Sequence, residues 1–445
     1  RQVEGDQIVH QHGFGRARPG GDAPTPQTPF LIGSTAKSIT ASAVMQLVEA
    51  GKVELDAPVQ RYLPWFRVKD PLASAGITVR HLLNQTSGLP GIPGMANLAN
   101  LDNSPDACLR QAQALAGIKL SNPVGTTFEY SNLNYNLLGL IIEAASDKIY
   151  PDYIQEHVFE PLGMRHSYTD LASAQQDNLA VGHRYWFGFT VASRNLPLAR
   201  GSLPSGQLIS TSEDMAHYLI AHLNSGVFGD AQILSGGSIE EMQRNVADQL
   251  VMGKPITSYG MGWFINKIDG VKIVAHGGNV PDYSAYMALI PEQNKGVVIL
   301  ANSDQWGLPF ILMEVGDGVA SLLAGKQPPP IKLAFLPWLM RASPLLPLFQ
   351  AGWIFSTLKR LRSWRKNPAL RPKPALAVKQ DILPALIPNL SLAAILNYLR
   401  TSGLLRFMRL YMPDLAFIAQ VSGGLAGIWA VMRTVLILRL VRKRG

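Results

Sequence analysis

Three short segments of this chain hold side chains that could carry out acyl transfer. The first is Ser34-Thr35-Ala36-Lys37. On a helix, positions i and i+3 share a face, so the serine hydroxyl and the lysine amine meet. A serine hydroxyl is a weak nucleophile at neutral pH, and a lysine held away from water has a lowered pKa and can accept its proton. The second segment is Tyr130-Ser131-Asn132. A phenol beside an ammonium ionises more easily and can relay a proton to a leaving group, and the Asn132 amide can donate to a substrate carbonyl. The third is His276-Gly277-Gly278, at the end of an apolar run. Glycines there let a substrate backbone approach a strand edge, and the N–H that follows can face a developing oxyanion. Each segment alone has a bland reading: Ser-x-x-Lys arises by chance, Tyr and Asn are ordinary loop residues, and Gly-Gly makes a turn.

The surrounding pattern supplies the elements needed to position these groups. Apolar Ile39, Ala43, Val44, Leu47 and Val48 form one stripe of a helix expected over residues 35–50, stopped by Gly51 and with Ser34 at its mouth. Further helices are expected over 135–145 and from Ser212 onward, the latter capped by Thr211 or Ser212 with Glu213 and Asp214 in its first turn. Residues 271–275, 283–290 and 296–301 read as strands of an antiparallel meander, separated by turns such as Gly277-Gly278.

The order of the three segments is similar to that of the serine β-lactamase and penicillin-binding-protein superfamily. It resembles most the class C-like branch with peptidase family S12, D-aminopeptidases and family VIII esterases. His81-Leu82-Leu83-Asn84-Gln85-Thr86-Ser87-Gly88-Leu89, Gly206-Gln207-Leu208-Ile209-Ser210-Thr211 and Ala301-Asn302 add to the likeness. The resemblance implies an α/β (α+β) fold, an antiparallel sheet flanked by helices with a mostly helical subdomain, over residues 1–325. It implies Ser34 as nucleophile, Lys37 as its base and Tyr130 as general acid/base. Asn132 would contact substrate, His276-Gly277-Gly278 would form the strand edge, and the amides of Ser34 and Asn279 would form the oxyanion hole. Two positions depart from the pattern: His276 stands where β-lactamases carry Lys, and Gln85 replaces a His. The implied activity is cleavage of amides, esters or small peptides without metal or cofactor. The rival readings are a penicillin-binding sensor that acylates with little turnover and a non-catalytic scaffold.

Composition adds a second region. Residues 1–330 hold 22 Lys+Arg and 29 Asp+Glu, whereas 331–445 hold 18 Lys+Arg and only Asp381 and Asp414, so the net charge of +9 is −7 plus +16. The cations flank apolar runs instead of lining a groove, which favours membrane topology over nucleic acid. After a proline-rich linker over 326–335 come three apolar segments, 336–358, 382–399 and 417–438, read as three membrane spans within 336–445. The cationic loop with Lys359, Arg360, Arg362, Arg365, Lys366, Arg371, Lys373 and Lys379 and the terminal Arg439, Arg442, Lys443 and Arg444 then fall on one side, with residues 1–330 on the extracytoplasmic side of a multi-pass protein. A serine hydrolase unit joined to such a tail resembles the periplasmic prodrug-activating peptidases. Cys108 is the single cysteine, so no intrachain disulfide forms.

Overall fold

The β-branched and aromatic runs of the body pair into one antiparallel sheet. Its strands are β1 (Gln2–Glu4), β2 (Gln7–His10), β3 (Ala247–Val251), β4 (Lys254–Tyr259), β5 (Phe264–Ile268), β6 (Val271–Val280), β7 (Tyr283–Ile290) and β8 (Lys295–Ala301), in the order β2-β1-β8-β7-β6-β5-β4-β3. The computed structural model describes residues 1–193, 197–244, 246–251, 254–304 and 308–442, so Lys443 and Arg444 of the expected terminal cluster lie outside the described residues. The chain divides into two units, Arg1–Arg184 with Thr190–Ala334, and Tyr185–Phe189 with Phe335–Gly445.

The first unit holds helices α1 (Ala36–Glu49), α2 (Asn132–Ser146), α3 (Ser212–Leu223) and α4 (Leu308–Leu323); α3 and α4 pack on the sheet, and α1 packs on α2. Strand alternation sorts β6 between them. Ile273 and Ala275 pack with Tyr286, Ala288 and Ala320 on the α4 side. Val274 packs with Met287, Leu289 and Val298 into the larger core, which also takes Ile39 and Val44 of α1, Leu137 of α2 and Leu219 of α3. His276 and Gly278 share the Val274 face. α1 begins one residue later than expected, because a short 3-10 turn over Gly33–Thr35 carries Ser34. Gly51, at φ +68°, follows its end as expected, and the Thr211 hydroxyl accepts from the Asp214 amide to cap α3.

The expected turn at Gly277-Gly278 is not a turn. β6 runs on to Val280, and the chain reverses at Pro281 and Asp282, the latter at φ +71°. The glycines serve close packing instead. A Cβ on Gly278 would stand 2.0 Å from the Ile32 carbonyl oxygen, and one on Gly33 would stand 2.2 Å from the Asn279 nitrogen. Pairing with β5 ends at Phe264–Ala275, so residues 276–280 of β6 extend beyond it as an edge. The turn bearing Ser34 packs against that edge.

In the second unit the expected first span, 336–358, is broken. Helix Leu336–Ala342 gives way to a turn at Ser343 and Pro344, and helix Leu345–Lys366 ends in a cationic half. Two helices, Pro374–Thr401 and Pro413–Arg442, are long and apolar enough to cross a bilayer, against the three expected. They approach closely where a Cβ on Gly423 would stand 2.7 Å from that of Leu396.

Gly278→Ala has to displace backbone and is expected to lower stability by about 1–3 kcal/mol. Gly277→Ala, which meets the Met313 side chain at 3.1 Å, is expected to cost less. Urea unfolding of the solubilised chain, followed by tryptophan fluorescence, checks the ranking.

Candidate active site

The side chains of α1 explain how an amine comes to be buried. The helix is enclosed on all sides over Ala36–Val44, and its hydroxyls are tied internally: Ser38 donates to the Thr35 carbonyl, and Thr40 bonds the Tyr150 hydroxyl and donates to the Pro204 carbonyl. Lys37 is fully buried. Its Nζ lies 3.0 Å from Ser34 Oγ, 2.7 Å from Asn132 Oδ1 and 2.6 Å from the Ser205 carbonyl oxygen. Burial pushes its pKa well below the usual lysine value. A neutral amine fits this shell: it can donate to Asn132 and Ser205 and turn its lone pair to the Ser34 hydroxyl. Ser34 itself keeps partial exposure.

Tyr130 stands across from this pair. Nζ of Lys37 is 4.9 Å from the centre of its ring. The expected easing of its ionisation does not occur: desolvation pushes the phenol up, outweighing a hydrogen bond with Ser34. The same enclosure drives their pKa values apart, the phenol up and the amine down, which favours the proton on Tyr130 and disfavours it on Lys37.

His276 lies behind Tyr130, their ring centres 6.2 Å apart, among Tyr259 and Phe264. Its Nδ1 is 2.6 Å from the Gly277 carbonyl oxygen and its Nε2 3.4 Å from the Tyr259 hydroxyl. Desolvation, with a smaller effect from the Lys37 charge, lowers its pKa to about 3. The imidazole is neutral and offers no cation to a substrate carboxylate. The Asn279 nitrogen lies beside the Ser34 turn, 2.2 Å from where a Cβ on Gly33 would stand.

Two contributors escape a reading by motif. Ser205 serves through its carbonyl, and Gly206 lets its segment lie close, a Cβ there being 3.5 Å from the Ser34 nitrogen. Gln85 is buried at φ +60°, a conformation rare for a residue with a Cβ. Its Oε1 accepts from the Ser131 amide at 2.9 Å and from Asn134 Nδ2, and its carbonyl accepts from the Glu129 amide at 2.9 Å. Gln85 thus clamps the loop that presents Tyr130 and Asn132. Its replacement of a His was visible in the sequence, but the clamp was not. Cys108 lies away from this group, its thiol 3.5 Å from the Asn136 carbonyl and pushed up by burial.

Comparison with known proteins places this geometry. Protein flp of Staphylococcus aureus (strain MW2) is 30% identical over 301 residues, 67% of this chain and 57% of the relative, so the chain spans little more than half of that protein's length. Penicillin-binding protein 4 of Amycolatopsis lactamdurans is 30% identical over 306 residues, covering 67% of this chain and 78% of the relative. Among solved structures, an octameric penicillin-binding protein homologue from Pyrococcus abyssi superimposes with a TM-score of 0.64 at 30% identity, over 74% of this chain and 73% of that one. A D-amino acid amidase from Ochrobactrum anthropi SV3 does so with a TM-score of 0.54 at 25% identity, over 65% of this chain and 81% of that one. Residues 3–314 match the family Beta-lactamase, which accounts for the antiparallel sheet, its flanking helices and the Ser34 turn, and the chain belongs to that family.

Proposed function

We propose that the chain is a serine hydrolase that forms an acyl-enzyme on Ser34 and cleaves amide or ester bonds. The observation that carries this is the buried Lys37 amine, 3.0 Å from Ser34 Oγ and held below its usual pKa. Lys37 takes the Ser34 proton as Oγ attacks the carbonyl carbon, and the oxyanion is held by the amides of Ser34 and Asn279. Tyr130 delivers a proton to the departing nitrogen or oxygen and recovers one from the Lys37 ammonium. Asn132 orients the substrate amide while anchoring the lysine. Water then attacks the ester on Ser34 and releases the acid.

Small peptides and amides containing D-residues are the favoured substrates, a reading supported by the amidase among the structural relatives. Residues 1–325 would hold the catalysis, 326–335 a linker and 336–445 a membrane anchor built on the two long apolar helices. An extracytoplasmic position for the hydrolase unit is part of this proposal. Two crossings alone would leave both cationic regions on the hydrolase unit's own side, so by the positive-inside rule this position needs a third crossing, as expected from the apolar run over 336–358. The name of the Amycolatopsis relative gives footing to a rival, a penicillin-binding sensor that acylates and turns over little.

Intact mass after exposure to a fluorophosphonate, and separately to a penicillin, tests the nucleophile. A one-to-one adduct is expected in the intact chain and none in Ser34→Ala; adducts in both, or in neither folded protein, would refute the assignment. A penicillin adduct lasting hours without release would favour the sensor.

Lys37 works in its neutral form, so kcat/KM should rise with pH through its lowered pKa and level off above it. Lys37→Arg, which stays protonated, is expected to lose about 10²–10⁴-fold. His276 titrates near pH 3 and contributes no inflection between pH 5 and 8. His276→Gln should therefore keep the acid limb in place, and its disappearance would move the titration from Lys37 to His276.

A further inference from the structure

A cleft of about 450 Å³, counting its open mouth, adjoins the Ser34 turn and takes no part in the chemistry above. Leu31, Leu98, Leu101, Leu171, Leu179 and Leu198 line it. Three of its lining residues lie close along the chain to residues of the site. Leu31 lies three residues before Ser34. Gln207 follows Gly206, which packs on the Ser34 nitrogen, and Pro281 follows Asn279 by two residues.

The side on which it opens is fixed by β6. His276 is next to Tyr130, and Pro281 is five residues further along, roughly 16 Å at about 3.3 Å per residue. Tyr130, at the near end, serves the leaving group; the cleft, at the far end, faces the other half of the substrate. The charged lining side chain is already engaged. Asp282 accepts from Arg184 Nε at 2.9 Å and Nη2 at 2.8 Å, and from the Ser193 hydroxyl. The Tyr283 hydroxyl donates to the Ala180 carbonyl at 2.6 Å. No Lys, Arg or His is among the described lining residues, and the described lining is dominated by leucines.

We propose that this leucine-lined cleft receives an uncharged aliphatic chain on the acyl side of the scissile bond, making the enzyme selective for medium-length acyl groups. The proposal rests on the acyl-enzyme reading, and its test separates the two. Hydrolysis of p-nitrophenyl esters from acetyl to octanoyl is measured on the full chain in nanodiscs. The kcat/KM is expected to rise at least about 30-fold along the series, since each methylene buried is worth roughly fourfold. Leu101→Trp and Leu198→Trp, which fill the cleft, should abolish that rise. In parallel, calorimetry on Ser34→Ala compares octanamide with acetamide; octanamide is expected to bind at least about tenfold tighter, and the tryptophan substitutions to remove the difference. A flat or falling ester series with acetyl ester still turned over, or equal binding of the two amides, would overturn the cleft assignment. Absence of ester hydrolysis and of fluorophosphonate labelling would instead remove the acyl-enzyme reading, while the binding comparison still decides what the cleft holds.

Discussion

The burial of one lysine amine is the constraint on which the site is built. An ammonium removed from water is costly unless it is fully bonded, and a cheaper state is the neutral amine. The three oxygens around Lys37 Nζ come from three separate parts of the chain: the turn at Ser34, the start of α2 at Asn132 and the segment at Ser205. The amine therefore acts as a cross-link as well as the proposed base. Its position obliges α1 to be enclosed all round, and the hydroxyls of Ser38 and Thr40 satisfy the polar groups that such enclosure creates.

Backbone approach is the second constraint. Gly33, Gly278 and Gly262 lie where a Cβ would collide with backbone of the facing segment, the last at 2.7 Å from the Ser38 Cα. The first two contacts join the edge of β6 to the turn before α1, and the third joins the link between β4 and β5 to α1. Positioning amides and positioning the serine are in this way one structural problem, solved by leaving out side chains. The clamp at Gln85 does the same for the opposite wall, using a strained backbone angle and a side-chain amide in place of absent atoms.

Much of this was legible before any coordinates. Ser34 and Lys37 are linked by helical spacing alone, and the meander β6-β7-β8 follows from β-branched runs at regular intervals. What eluded the sequence depends on partners distant along the chain. Gly277-Gly278 carries local turn chemistry, and only the Ile32 carbonyl reveals why the strand continues through it. The phenol of Tyr130 was expected to ionise more easily beside an ammonium, but the enclosure that neutralises Lys37 also desolvates Tyr130. A carbonyl such as that of Ser205 has no side-chain signature. In the second unit, apolar length was readable, whereas the break at Ser343 and Pro344 was hidden in a run of proline-containing apolar sequence.

The neutrality of the site groups has a consequence for how substrate is captured. Burial lowers the pKa of Lys37 and of His276 and raises that of Tyr130, so the enclosure around Ser34 pushes each of the three toward its uncharged form. Asp282, at the end of the neighbouring cleft, is compensated by Arg184. Long-range attraction or repulsion of a charged substrate would then come from the net −7 of residues 1–330 and not from these three groups.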